Sequence, residues 1–313
     1  MTLKIGIHAG QQDCKYEDLQ RLWAMAEDAG VYWISLWDHF YDNPSLEGKG
    51  DCFEAVSMLS ALASSTSKVR VGCLVFSTTY RNPAILAKIA ATIDHISDGR
   101  LELGLGAGWF ELEHLAYGIP FPPIGIRLDM LEEAVKIIKS MLTKDSTTFH
   151  GKHFSIENAF CNPKPIQNPP RIWIGGTGEK RTLGLVARHA DGWNATYISP
   201  EDYNKKLKIL ERWCEFHGRN PAEITRTVNV GFYLGTDETK ANNKKRLFHE
   251  KWGDKASEVA KGMLFGTPKN AVERIRQYEE AGADGLNIAL RSPFDWSAIQ
   301  VFLEEVLPVF HQG

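Results

Sequence analysis

Eight short runs rich in apolar and β-branched residues recur along this chain, and each is followed by a longer stretch whose apolar residues return with helical spacing. The runs are Lys4–His8, Trp33–Leu36, Arg70–Val75, Leu101–Leu105, Arg171–Ile174, Gly192–Asn194, Thr227–Leu234 and Gly285–Ala289. Between them, Leu19, Leu22, Trp23 and Ala26 keep one helical face apolar, and Gly30 stands where that helix should stop. Asn82-Pro83 reads as an N-cap followed by the first helical position, with Ile85, Ile89, Ile93 and Ile96 behind it. Thr267-Pro268 repeats that start, and Gly282 repeats the stop. Leu128, Leu131, Val135, Ile138 and Leu142 form a further stripe. Eight strand–helix units close on themselves better than they extend as an open doubly wound sheet. The expected fold is therefore α/β, a single (β/α)8 TIM barrel domain over residues 1–313.

Three stretches exceed ordinary connections and are expected as insertions over the carboxyl-terminal face of the barrel. Residues 108–127 are aromatic and proline-rich and should pack as a wall over the mouth. Residues 147–169 contain a hairpin pattern around Thr148–Phe154, and residues 236–266 are polar and basic, as in a helical lid. The basic run in the last is more often an ordinary solvated face than a binding site.

A net charge of -3, from 36 basic and 39 acidic residues, argues against a nucleic-acid partner. Five scattered cysteines without a C-x-x-C pair indicate neither a disulfide frame nor a zinc site, which suits the reduced cytoplasm. No run is long enough to span a membrane, and the chain opens on a strand pattern rather than a signal sequence. His150 and His153 sit three apart, so on a strand they point to opposite faces, and no metal site is expected.

Residues at the carboxyl ends of barrel strands face the active site. Asp38-His39 follows the second strand, offering a carboxylate that can orient an imidazole and an imidazole that can move a proton near neutral pH. The plainer alternative is a turn-capping Asp beside a structural His. After the fourth strand, Gly104-Leu-Gly106-Ala107-Gly108-Trp109 lacks dinucleotide-fingerprint spacing. Its glycines either let a planar ligand approach the backbone or simply turn the chain. After the fifth strand, Gly175-Gly176-Thr177-Gly178-Glu179-Lys180-Arg181 leads into a helix. Glycine amides at a helix start, a hydroxyl and two cations make a phosphate cradle, unless this is a glycine turn with surface cations.

In this order, Ser35-Leu-Trp-Asp38-His39-Phe40, Asn82-Pro83-Ala-Ile-Leu-Ala-Lys, the Gly104–Gly118 segment with Glu111, Glu113, His114 and Tyr117, Ile174–Gly178 and Ala190–Asn194 resemble the bacterial-luciferase-like superfamily of flavin and deazaflavin oxidoreductases. The likeness spans essentially the whole chain and is strongest to the branch that uses coenzyme F420, an 8-hydroxy-5-deazaflavin. It implies a cytoplasmic, homodimeric enzyme that passes hydride between F420 and a small organic substrate. His39 would be the proton carrier beside the ring, with Asp38 orienting the site. It also implies a non-prolyl cis peptide at about Leu74-Val75 behind the ring, with Gly106, Ala107 and Gly108 along it. The tail phosphate would lie on Gly175, Gly176 and Thr177, near Gly178, Lys180 and Arg181. Some relatives carry a carboxylate just after the glycine run. Trp109 stands here instead, so no acid role transfers to that position. The alternative within the fold is an FMN-dependent monooxygenase. A barrel hydrolase is disfavoured by the lack of an H-x-H pair after the first strand, and a non-catalytic cofactor-binding protein would be indifferent to His39.

Overall fold

The computed structural model describes residues 3–42 and 48–311. Its barrel strands are β1 (Lys4–Ala9), β2 (Trp33–Leu36), β3 (Arg70–Ser77), β4 (Leu101–Gly106), β7 (Arg171–Gly175), β8 (Gly192–Thr196), β9 (Thr225–Leu234) and β11 (Gly285–Leu290), with β5 (Ser146–His150), β6 (Ser155–Phe160) and β10 (Met263–Gly266) outside the ring. The ring runs β11-β1-β2-β3-β4-β7-β8-β9 and closes where β9 pairs with β11. Every pairing in it is parallel, as crossover helices require. This is the TIM barrel expected from the alternation.

The helices stand between the strands: α1 (Tyr16–Asp28), α2 (Ala55–Ser65), α3 (Pro83–Ile96), α4 (Glu111–Ala116), α5 (Ile124–Thr143), α6 (Thr182–His189), α7 (Pro200–Phe216), α8 (Glu238–Trp252), α9 (Ala256–Val259), α10 (Pro268–Glu280) and α11 (Trp296–Val301). The boundary residues act as their chemistry dictates. Asn82 accepts from the Ala84 amide with Pro83 at the first position of α3, and Thr267 with Asn270 forms a capping box on α10. Gly30 takes a left-handed φ of 79° just beyond α1, where a side chain would be strained.

The main core lies between strands and helices, joining Leu19, Leu22 and Trp23 of α1 to Ile5 and Ile7 of β1 and onward around the ring. A second cluster fills the barrel axis: Trp33 and Trp173 lie 5.1 Å apart, with Leu74 and Val75 packed on them. Their indole N–H groups donate to Asn287 and Glu102, so burying two polar edges leaves no orphan there.

The insertions depart from plain loops in instructive ways. The 147–169 stretch holds the expected antiparallel hairpin, β5 with β6, and Glu133 accepts the amides of Lys152, His153 and Phe154 at its tip. The 236–266 stretch is helical, as expected, but ends in a strand. β10 pairs with Gly231–Leu234, the part of β9 that overhangs its barrel partners. In 108–127 the chain forms the short helix α4 before the prolines and then enters α5. No helix among the described residues is long and apolar enough to cross a membrane, and no group of side chains there could hold a metal ion.

Candidate active site

The ends of β2 and β3 build the centre of the mouth. Because Leu36 registers with Cys73, Asp38 and His39 fall beside the segment after Cys73. There the β3–β4 register breaks and the Leu74-Val75 peptide is cis, at the position the resemblance implied. Val75 faces the glycines of β4 and β7. A Cβ on Gly106 would lie 2.4 Å from the Val75 side chain, and one on Gly175 would lie 2.9 Å from it. The glycines therefore make room for Val75 first. The result is a bed made of one isopropyl group and bare backbone, continuous with the Trp33–Trp173 pair below.

His39 is oriented by a residue other than its neighbour. Its Nδ1 lies 2.9 Å from Glu113 Oε2, and a carboxylate only accepts, so Nδ1 carries the proton and the neutral ring's lone pair is on Nε2. Glu113, on α4, is fully buried. Its Oε1 accepts the amides of Phe40 and Tyr41 at 2.7 and 2.8 Å, and Tyr80 donates its hydroxyl to Oε2 at 2.5 Å. Burial alone would raise this carboxyl, but the hydrogen bond and charge of His39, then Tyr80 and the amides, hold it below the ordinary range. Burial beside that carboxylate pushes the Tyr80 phenol well up, so Tyr80 stays a donor.

The expectation that Asp38 orients the imidazole is corrected. Asp38 Oδ2 accepts the Ser77 amide at 2.9 Å and Arg81 Nη1 at 2.6 Å, so it clamps β2 to β3 rather than gripping His39. Arg81 continues to Glu54 at the start of α2, at 2.8 Å. Burial raises the Asp38 carboxyl despite Arg81, and its Oδ1 is buried without a partner. At the end of β1, His8 bonds Ser35 Oγ at 2.9 Å. Burial, then the charges of Arg291 and His39, push it down to about 3, so it is neutral.

A second chain of bonds stiffens the glycine run. His114 Nδ1 donates to the Phe110 carbonyl at 2.8 Å, so its Nε2 accepts from Thr79 Oγ1 at 2.7 Å, and Thr79 in turn accepts from Ser77 Oγ at 2.6 Å. Gly108 turns there with φ 72°, and a Cβ on it would meet Ser77 Oγ at 2.6 Å. Trp109 is exposed at the mouth, edge-on to His39 with ring centres 5.4 Å apart.

After β7 the proposed cradle is narrower than its sequence suggests. The Gly176 amide donates to the Asn194 carbonyl, and its own carbonyl accepts from Trp193, so this residue belongs to the barrel. Arg181, read as facing an anion, instead reaches the Gly125 carbonyl and Asp129 on α5. What remains toward solvent is Thr177, Gly178, Glu179 and Lys180, and of the first amides of α6 that of Leu183 already donates to the Gly178 carbonyl.

Sequence reasoning missed Glu113 as the orienting group. The signal was present as Glu111-x-Glu113-His114, but only the packing of α4 shows which carboxylate turns inward. A cavity of about 790 Å³ lies beside this centre, over the ends of β1, β2, β8, β9 and β11 and under α8, within the 236–266 insertion read as a lid.

A closed parallel barrel whose strand ends present a carboxylate-held histidine beside a flat apolar bed is the frame of a cofactor-assisted barrel enzyme. The chain's residues 2–259 match the model of the luciferase-like monooxygenase family, and the chain belongs to that family. Among curated relatives, an F420-dependent glucose-6-phosphate dehydrogenase of Kineococcus radiotolerans is 30% identical over 250 residues, covering 79% of this chain and 72% of the relative. Two solved structures share the fold. An F420-dependent secondary alcohol dehydrogenase, in complex with an F420-acetone adduct, superposes with a TM-score of 0.86 at 21% identity, covering 97% of this chain and 98% of that one. A long-chain alkane monooxygenase superposes with a TM-score of 0.83 at 18% identity, covering 99% and 92%.

Proposed function

We propose that this protein is an oxidoreductase that uses coenzyme F420 to move hydride to or from a small organic substrate, with His39 handling the accompanying proton. The observation that carries the reading is the His39–Glu113 pair at the end of β2, next to the Val75 bed. The 30% identical relative bears an F420-dependent name, whereas barrels as unlike in name as an alcohol dehydrogenase and an alkane monooxygenase fit this fold about equally. Fold alone therefore does not choose the cofactor.

The residues suit a planar ring with an anionic tail. Val75 over Gly106 and Gly175 offers an apolar face with Leu74 beside it, and Ala107 and Gly108 continue the glycine run from Gly106. Thr177, Gly178 and Lys180 stand at a helix start where amides favour a phosphate. Bound there, the deazaflavin supplies a two-electron hydride carrier. Glu113 holds the imidazole as the Nδ1–H tautomer, so Nε2 accepts a proton from a substrate hydroxyl, or returns it to a carbonyl oxygen in the reverse direction. Trp109 stands edge-on to His39 at the mouth, where it can flank a substrate.

Fluorescence titration with F420 and with FMN tests the reading, together with single-turnover hydride transfer by His39→Ala. F420 is expected to bind appreciably tighter than FMN. The variant should lose about 10²–10⁴ in rate while F420 affinity stays within a few-fold. Tight FMN binding with negligible F420 binding would move the protein to the oxygen-activating monooxygenases.

A further inference from the structure

The structure assigns the substrate as a bulky, largely apolar alcohol or carbonyl compound without a phosphate, an inference that rests on the hydride-transfer reading above. Its basis is the cavity of about 790 Å³, a size that encloses a drug-sized molecule. The strand order divides the barrel mouth in two. The Val75 bed and the glycine loops occupy the ends of β3, β4 and β7, and the cavity occupies the ends of β8, β9, β11 and β1. The halves meet at β2, whose Trp37 lines the cavity and whose His39 follows two residues later.

The walls are aromatic: Trp37, Phe232, Tyr233, Phe248, Trp252 and Phe294 all face this space. Tyr233, Phe248 and Trp252 belong to a small apolar cluster under α8 that is separate from the main core, so the insertion brings its own hydrophobic lining. Leu247 is another lining residue on α8, and it is 49% exposed. An apolar side chain that does not finish a core and faces a cavity is available to a ligand.

Charge points the same way. Among the described residues the lining contains three acids, Asp13, Asp42 and Asp295, and three bases, Lys244, Lys251 and Arg291. They balance, and Lys244 is held by Asp295 at 2.6 Å and by the Leu234 carbonyl at 2.6 Å. A phosphate monoester carrying almost two negative charges needs a surplus of donors or positive charge around it. Among the described residues the charges of this cavity show no such surplus, and its neutral donors, such as the indole N–H groups of Trp37 and Trp252, suit a hydroxyl or carbonyl. The residues thus favour apolar bulk over the phosphorylated sugar in the name of the 30% identical relative.

Isothermal titration calorimetry with 1-(2-naphthyl)ethanol and with glucose 6-phosphate tests this, on the protein alone and saturated with F420. The naphthyl alcohol is expected to bind at least about 100-fold tighter than the sugar phosphate in one or both forms. Leu247→Asp, which places a charge on the exposed lid face, should weaken the naphthyl alcohol about tenfold or more while leaving F420 fluorescence titrations unchanged. Glucose 6-phosphate binding as tightly as the naphthyl alcohol, or an unaffected Leu247→Asp variant, would overturn the assignment. So would naphthyl alcohol binding to neither form of a protein that does bind F420. F420 failing to bind while the naphthyl alcohol still does would instead remove the cofactor reading and leave the apolar chamber standing.

Discussion

Glu113→Gln keeps the size of the side chain and removes its charge, so its consequences follow from four hydrogen bonds. The carboxylate accepts the amides of Phe40 and Tyr41 on Oε1, and His39 Nδ1 and the Tyr80 hydroxyl on Oε2. Glutamine offers one accepting oxygen and one donating nitrogen. Backbone amides cannot turn, whereas a hydroxyl can rotate and an imidazole can exchange its tautomer. The amide oxygen will therefore stay with Phe40 and Tyr41, and the nitrogen will face His39. His39 must then accept at Nδ1 and carry its proton on Nε2, the reverse of what proton uptake requires. Exchanging charge-assisted bonds for neutral ones in a buried site costs about 1–3 kcal/mol, a drop in Tm of roughly 2–10 °C. The rate should fall much further, by about 10²–10⁴, because the base has lost its lone pair at the working atom. Nitrogen-15 spectra of the His39 ring and single-turnover hydride transfer read the two effects separately. A ring that remains protonated on Nδ1, with a rate within about threefold of the parent, would refute the assignment of Glu113 as a positioning residue.

Gly106→Ala should destabilise by about 1–3 kcal/mol and weaken F420 binding, since the new methyl would lie 2.4 Å from Val75 and displace the bed; calorimetric unfolding and fluorescence titration check both. Arg81→Met leaves Asp38 buried beside only the Ser77 amide, and its destabilisation should approach about 3–5 kcal/mol at pH 7. Burial already raises the folded Asp38 carboxyl above its unfolded value. The penalty should therefore grow as pH rises through that window and shrink below about pH 4, where Asp38 is neutral in both states, as denaturant titrations at several pH values will show. Burial would raise the Asp295 carboxyl, but Lys244 and the Ala298 amide hold it at about 2, so its stabilising contribution is present above the ordinary carboxylate range and fades as pH falls toward 2. Because both partners are partly exposed, Asp295→Asn should cost no more than about 1 kcal/mol globally, yet hydrogen exchange across α8 should quicken.

The eight strands were legible because each is a short apolar run, most with β-branched or aromatic residues, that alternates with a helical stretch, and the helix starts because Asn82-Pro83 and Thr267-Pro268 have a local chemistry that tertiary packing did not override. β10 was not legible. Met263–Gly266 is four residues long, and its partner is merely the overhang of β9, a matter of register that no local pattern encodes. In the site, the place of His39 and of the Leu74-Val75 peptide followed from strand ends and resemblance. Arg181 looked like an anion ligand because its partners, Gly125 and Asp129, lie far back in the sequence on α5. Asp38 looked like the orienting acid because it is adjacent, but successive residues leaving a strand point apart, and Glu113 reaches His39 from 74 residues away.

That reach makes the barrel and its chemistry separable in an unexpected place. Glu113 stands in the 108–127 excursion, the wall that a designer would exchange first when altering what the mouth admits. Grafting that segment from a cousin replaces the grip on His39 along with the wall, so a chimaera can fold soundly, bind its ligands and still be mute. Carrying Glu113 with its spacing to Tyr80, Phe40 and Tyr41 into each graft is the condition for recombining these barrels without silencing them.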